Sequence, residues 1–266
     1  MRQRTEVIRY IDDAMQIKSP KQPPKVPKIY MANRCIFDCK YCCHRCVNEA
    51  KHGYIHEPAE LARLAVEQAK NSTHGIFISS AIHKSADYTG EMILETLRKI
   101  RFEHGYKGYV HAKVMPGTDP LLVEQTGWLA DRMSINIELP HSEGYKIIAK
   151  QKTRENILGP MADIAQSILV HRDERGKDNR RYAKSGQTTQ MMVGTMHETD
   201  RIILTLAQAL YRKYNLRRVY YSAFGVPMTM IITQSASRGT TVQTQSKSRI
   251  TLLLNLIEKS KKSKIF

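Results

Sequence analysis

Between residues 28 and 224 the chain repeats one pattern: a short apolar run with strand character, then a longer segment with helical spacing. Lys28–Asn33 reads as a strand. Pro58–Asn71 reads as a helix, with Pro58 in its first turn and Leu61, Leu64, Ala65 and Ala69 on one face. The apolar run Gly75–Ile82 is too short for most helices, whereas Asp87–His104 places Ile93, Leu97 and Ile100 at helical spacing and meets Gly105 as a terminator. A strand at Tyr109–Met115, a short helix opened by Asp119-Pro120 and a strand at Met133–Glu138 follow. A helix over Thr153–His171, kinked at Gly159-Pro160, leads to a strand at Gln190–Thr195, a helix at Glu198–Tyr214 and a sixth strand at Arg218–Phe224. Six such units require parallel strands joined by right-handed crossovers, which either open into a doubly wound sheet or curl into a barrel. In both, chemistry gathers at the carboxyl ends of the strands.

A cysteine cluster sits directly after the first strand. All five cysteines fall within Cys35–Cys46, and the rest of the 266 residues has none. An odd number of thiols crowded into twelve residues makes a poor disulfide framework, because such bridges stabilise mainly by closing long loops; clustered thiolates suit a metal and a reducing compartment. Cys35, Cys39 and Cys42 have the spacing CxxxCxxC, with Tyr41 before the third. Three thiolates on one tight loop fill three corners of a cubane [4Fe-4S] cluster and leave one iron open. The alternative is structural zinc, completed by Cys43, Cys46 or His44, although zinc ribbons usually use two pairs separated by a long insertion.

Lys and Arg exceed Asp and Glu by 42 to 25, a formal net charge of +17. That surplus draws polyanions and makes nucleic acid the first candidate partner, with a solvated basic surface as the competing reading. Much of it lies in Arg172–Lys184, with six bases, and in a tail ending Lys259, Lys261, Lys262 and Lys264. No run approaches the roughly 18 apolar residues of a membrane span, and Met1 is not followed by an apolar signal region, so a cytoplasmic protein without membrane attachment is expected. The division expected is a helix and Pro-rich lead over 1–27, the repeating domain over 28–224, and a weakly folded basic tail over 225–266, rich in Ser, Thr and Gln.

CxxxCxxC with an aromatic before its last cysteine, after the first strand of a (βα)6 chain, resembles the radical S-adenosylmethionine enzymes. Arg34-Cys-Ile-Phe-Asp-Cys-Lys-Tyr-Cys, Phe77-Ile-Ser-Ser-Ala-Ile, Pro116-Gly-Thr-Asp-Pro, Ser134-Ile-Asn-Ile-Glu-Leu-Pro and Gln190-Met-Met-Val-Gly-Thr-Met-His-Glu-Thr-Asp together resemble the DNA modification/repair subfamily, which often accompanies a uracil-DNA glycosylase-like partner. The resemblance implies a partial TIM-like (βα)6 barrel, a [4Fe-4S] cluster on Cys35, Cys39 and Cys42, S-adenosylmethionine as cofactor and an electron donor for the cluster. It places the methionyl amino group of the cofactor at Ser79 and Ser80, its ribose or carboxylate at Asn136 and Glu138, and its adenine near Gly194 with Glu198; it counts Tyr41 among the cofactor-binding residues and names no catalytic residue. Three polar residues, Ser134, Asn136 and Glu138, share one face of a strand, and a polar stripe inside a barrel has few structural uses. The long segments Leu139–Thr153 and Arg172–Thr189 are expected to close the chamber, although the basic stretch within the second precedes a strand and so belongs at the amino-terminal end of a βα barrel. Departures from the subfamily are Ala81 in place of Gly, His44 in place of Asn, and the extra Cys43 and Cys46. The likeness stops at Phe224, as a truncation or shifted reading frame would produce.

Overall fold

The computed structural model describes residues 26–48, 53–70, 75–196 and 198–224. The expected leading helix, almost all of the Pro-rich lead and the basic tail lie outside these. Six parallel strands run in sequence order: β1 (Lys28–Tyr30), β2 (Ile76–Ser79), β3 (Val110–Lys113), β4 (Arg132–Ser134), β5 (Gln187–Val193) and β6 (Leu216–Ala223). Helices α1 (Pro58–Lys70), α2 (Ala86–Arg98), α3 (Pro120–Leu129), α4 (Ser142–Ile148), α5 (Arg154–Val170) and α6 (Asp200–Tyr214) connect or follow them. The chain is therefore α/β as the alternation implies, and of the two architectures it left open the sheet takes the partial (βα)6 barrel that the resemblance implies.

Helix starts follow local chemistry. Ser85, Asp119, Thr153 and Thr199 each accept a backbone N–H of the first turn, and Pro120 occupies a position where its missing N–H costs nothing. Pro160 lies inside α5, as expected of a kink site. At the other end of α6, Asn215 takes the left-handed conformation at φ 48° and turns the chain directly into β6.

Strand parity divides the sheet. Ile29, Ile76, Ile78, Val110, Ala112 and Met133 point outward and are buried under the helices. Gln187 on the same face donates to the carbonyls of Met161 in α5 and Tyr214 in α6, which confirms the direction. The alternating residues face the lumen and are largely polar: Lys28, His111, Lys113, Arg132, Ser134, Thr188, Gln190 and Arg218.

Several boundaries differ from expectation. β2 ends at Ser79, β3 covers only Val110–Lys113, and β4 stops at Ser134 instead of Glu138. In each case the chain leaves the ladder early to build loops at the carboxyl end. α2 gives way at Lys99 to a π-helical turn, Lys99–Glu103, which carries the buried Arg101 under the barrel. The segment Leu139–Thr153 is not a plain loop, because α4 forms within it. β5 starts three residues early, and its sequel α6 starts at Asp200, two residues later than Glu198. The segment 172–186 lies at the amino-terminal end, where Ser185 and Ala183 bond the backbone of Asp131 and Gly127. It does not close the chamber, since a connection that enters a parallel strand arrives at the strand's amino end.

Candidate active site

The cysteine loop leaves β1 at its carboxyl end and is stitched to itself and to its neighbours. Cys35 N–H donates to the His44 carbonyl at 2.7 Å and Cys46 N–H to that of Phe37 at 3.1 Å; Ile36 and Lys40 donate to Ile82 and Ile148 outside the loop. An Asp38–Arg45 ion pair at 2.5 Å ties its two limbs, and the Arg45 guanidinium holds the Asp38 carboxyl below its usual range. His44 is not aimed at the thiols through Nδ1, which lies 2.7 Å from the Asn33 carbonyl.

None of the five cysteines is in a disulfide. Cys39 is buried and Cys35 and Cys42 are half-buried; Cys39 feels the charges of Cys42 and Cys35, and Cys42 those of Cys43 and, less, Cys35. Burial pushes the Cys39 thiol up to about 11 against the pull of Lys152, and raises Cys42 as well. Backbone N–H groups of Phe37 and His44 approach the sulfurs of Cys35 and Cys42 at 3.4 Å each, the kind of contact that tunes cluster sulfurs. Three thiols on one closed loop suit a [4Fe-4S] cluster with one open iron, whereas structural zinc takes four protein ligands.

Beside this loop stands a buried polar network. Lys152 Nζ donates to Glu138 Oε1 at 2.9 Å and to the Tyr41 hydroxyl at 3.0 Å, and sits 5.6 Å from the Tyr41 ring centre. Asn136 Nδ2 reaches Glu138 Oε1 at 3.4 Å, Lys113 Nζ donates to Asn136 Oδ1, and His111 Nε2 lies 2.7 Å from Ser134 Oγ. Burial alone would raise the Glu138 carboxyl; Lys152 and Lys113 more than offset it, so Glu138 stays ionised. Burial draws Lys113 down to about 7 although Glu138 opposes it, whereas in Lys152 Glu138 and Tyr41 win over burial and hold the ammonium charged. Glu138 adopts φ 59°, an uncommon conformation for a residue with a Cβ, and is held there by backbone bonds to Gln190 and Met192 of β5. The strained turn aims its carboxylate at Lys152.

Three of the expected site residues, Tyr41, Asn136 and Glu138, are thus brought into one network. Ser79 ends β2 with its side chain buried, and the Ser80 hydroxyl is turned to the carbonyl of Ala81 at 2.5 Å. Gly194 ends β5 at φ 83°; its N–H donates to the Glu198 carboxylate, which also accepts from Thr195 at 2.9 Å and Met196 at 2.8 Å. Glu198 is 2% exposed, and it fixes the turn that presents Gly194. Lys113 and Lys152 went unnoticed in the sequence. The alternation Val110-His-Ala-Lys113 places His111 and Lys113 on the polar face that also receives Ser134, which was the available signal for Lys113; Lys152 had none, being 14 residues from its partner Glu138.

No family model and no curated protein matches the chain. Among solved structures, the FeFe-hydrogenase maturase HydG from Carboxydothermus hydrogenoformans superposes with a TM-score of 0.64 at 14% identity, covering 92% of this chain and 55% of that one. A second structure of HydG, a maturase of the [FeFe]-hydrogenase, gives 0.56 at 13% identity over 91% and 54%. Coproporphyrinogen III oxidase (HemN) from Escherichia coli, described as a radical SAM enzyme, gives 0.47 at 9% over 91% and 55%. The chain spans just over half the length of each, and the HydG superpositions show a shared fold. Among the described residues no helix is long and apolar enough to cross a membrane.

Proposed function

We propose that the chain is a radical S-adenosylmethionine enzyme carrying a [4Fe-4S] cluster on Cys35, Cys39 and Cys42 and acting in DNA modification or repair. The observation that carries the chemistry is the placement of three thiols on one closed loop at the carboxyl end of β1, beside the network of Tyr41, Lys152, Glu138 and Asn136. A cluster held by Cys35, Cys39 and Cys42 would supply the single electron that reductive cleavage of the carbon–sulfur bond of S-adenosylmethionine, to methionine and a 5′-deoxyadenosyl radical, requires. The chain's own groups bind and orient. Glu138 and Asn136 offer acceptors to a ribose or an ammonium, the Gly194 turn lets an adenine approach the backbone, and Lys152 fixes Glu138 and Tyr41. An electron donor and a uracil-DNA glycosylase-like partner belong to the same reading. After anaerobic reconstitution with iron and sulfide, addition of reductant and S-adenosylmethionine is expected to release 5′-deoxyadenosine. A brown, reducible protein that forms none would overturn it.

Support for nucleic acid comes from the net charge and from a groove of about 910 Å³ between α5, α6 and the segment 181–186. Arg172, Arg181, Lys184, Arg212, Lys213 and Arg217 line it, and Asp163 is the one acid among the lining residues. Lys184 is engaged by Asp131 at 2.8 Å. Two helix C-termini, each worth roughly half a negative charge, explain only part of the rest. Replacing Arg172, Arg181 and Arg217 by Ala together is expected to flatten the salt dependence of single-strand binding by about 2 in log–log slope. An unchanged slope in titrations from low to high salt would leave this groove a solvated surface.

A further inference from the structure

The network around Glu138 occupies only the carboxyl end of the lumen. Below it the inner face of the sheet is lined by cations and rings. In the lowest layer Lys28, Phe77, His111 and Arg132 stand side by side on β1 to β4, spanning three strand spacings or about 14 Å. Lys113 and Arg218 share the next layer, with Ser134 and Thr188 between them. Among the described residues the only carboxylate on this inner face is Glu138, and Lys152 already neutralises it. Lys28, Arg132 and Arg218 form no ion pair among the described residues, and Arg132 Nε is buried without a hydrogen-bond partner. Lys28 and Arg218 are exposed, so the uncompensated cost falls on the half-buried Arg132, whose unpartnered Nε an entering anion would satisfy.

The rings are interleaved with these charges. Lys28 Nζ lies 4.6 Å from the Tyr30 ring centre and 5.2 Å from that of Phe77, and Phe77 stacks on His111 at 3.9 Å and 6°. Arg132 covers Tyr109 at 5.9 Å and Arg218 covers Tyr220 at 5.6 Å. Burial together with Lys113, Arg132 and Lys28 holds His111 neutral, which leaves its ring a stacking surface instead of a further charge. These rings are half-buried, whereas outward-facing neighbours such as Ile76, Ile78 and Val110 are fully buried, so the inner rings keep part of their faces accessible.

We infer that the lumen below Glu138 binds a nucleotide unit, its phosphate among Lys28, Arg132 and Arg218 and its base against Phe77, Tyr109 and Tyr220. A phosphate supplies the missing counter-charge and meets two guanidinium groups suited to bidentate contact, and a base matches aromatic faces that have no sequence preference. S-adenosylmethionine is a poor occupant of this layer, because its sulfonium would be repelled by the same cations. The inference deepens the proposed DNA reading by naming what enters the barrel: a nucleotide, which reaches it either free or flipped out of a strand.

Binding of nucleoside monophosphates to the full chain by calorimetry tests this with no turnover, so a failure of the radical chemistry leaves the result standing. A monophosphate is expected to bind at least tenfold more tightly than both its nucleoside and inorganic phosphate. Arg132→Met and Arg218→Met are each expected to lose tenfold or more, with Arg132→Lys recovering part of the loss and reporting that the fold is intact. A single-stranded oligonucleotide that competes more than tenfold better than the monophosphate assigns the source to a flipped-out base; weaker competition assigns it to a free nucleotide. Absence of nucleotide binding, inorganic phosphate binding equally well, or affinity indifferent to both arginines would overturn the site.

Discussion

Cys39→Ala is expected to abolish cluster assembly, with iron and sulfide falling to background and the visible absorption disappearing after anaerobic reconstitution. Cys35→Ala and Cys42→Ala are expected to do the same, whereas Cys43→Ala and Cys46→Ala are expected to retain the full spectrum. The asymmetry follows from the loop. Cys39 is buried against Lys152 and senses both Cys35 and Cys42, so removing it takes away the ligand that faces the lumen network. Cys43 and Cys46 sit on the returning limb, where the Cys43 carbonyl accepts Asn48 Nδ2 and the Cys46 N–H bonds Phe37, both through the backbone, which alanine preserves. A cubane takes one thiolate per iron corner, and losing one of three leaves too few ligands to hold it. If Cys43→Ala or Cys46→Ala proves as damaging as Cys39→Ala, a four-thiol site is the better description. Zinc in place of iron, with no colour, would sink the radical reading as a whole.

The order of elements was legible because parallel sheets bury both faces of each βα unit in a regular alternation, and Ile76, Ile78, Leu97 and Val110 obey it. Where expectation failed, the chain was building the site. Met133–Glu138 alternates like a strand, but the ladder ends at Ser134 and the residues beyond it turn Asn136 and Glu138 toward Lys113 and Lys152. Periodicity cannot register such a departure, because the side chains keep their alternation after the backbone has stopped pairing. α4 escaped notice for a related reason: seven residues with Gly144 inside give too short a window for helical spacing. Of the network itself, Asn136 and Glu138 were visible as a polar pair on one face. Their cationic partners come from β3 and from the segment after α4, and only the fold brings those together. The inner-face cations Lys28, Arg132 and Arg218 were hidden in the overall charge, since nothing local separates a lysine that faces a lumen from one that faces water.

Asp131→Asn is expected to cost about 3–5 kcal/mol of stability. Arg101 and Asp131 form an ion pair at 2.9 Å with side chains only 2% and 7% exposed. Arg101 also donates to the carbonyls of Leu129 at 2.8 Å, Tyr106 at 2.9 Å and Gly108 at 2.7 Å, while Asp131 accepts the Val110 N–H at 2.7 Å and Lys184 at 2.8 Å. One pair thus closes the amino ends of β3 and β4 and joins them to the π-helical turn after α2 and to the basic segment before β5. Asparagine keeps the shape but leaves the guanidinium buried with no counter-charge, which is the costly half of breaking such a pair. Arg101→Met should cost a similar amount, by stripping three carbonyls of their donor and leaving the buried carboxylate only the exposed Lys184 as counter-charge. The double variant, Arg101→Met with Asp131→Asn, should be less damaging than the sum of the two, because removing both charges also removes the desolvation that the pair must offset. Thermal or denaturant unfolding of the four proteins measures this directly. Strict additivity would mean that the two side chains act separately, and a loss below about 1 kcal/mol for either single variant would mean that water reaches the pair.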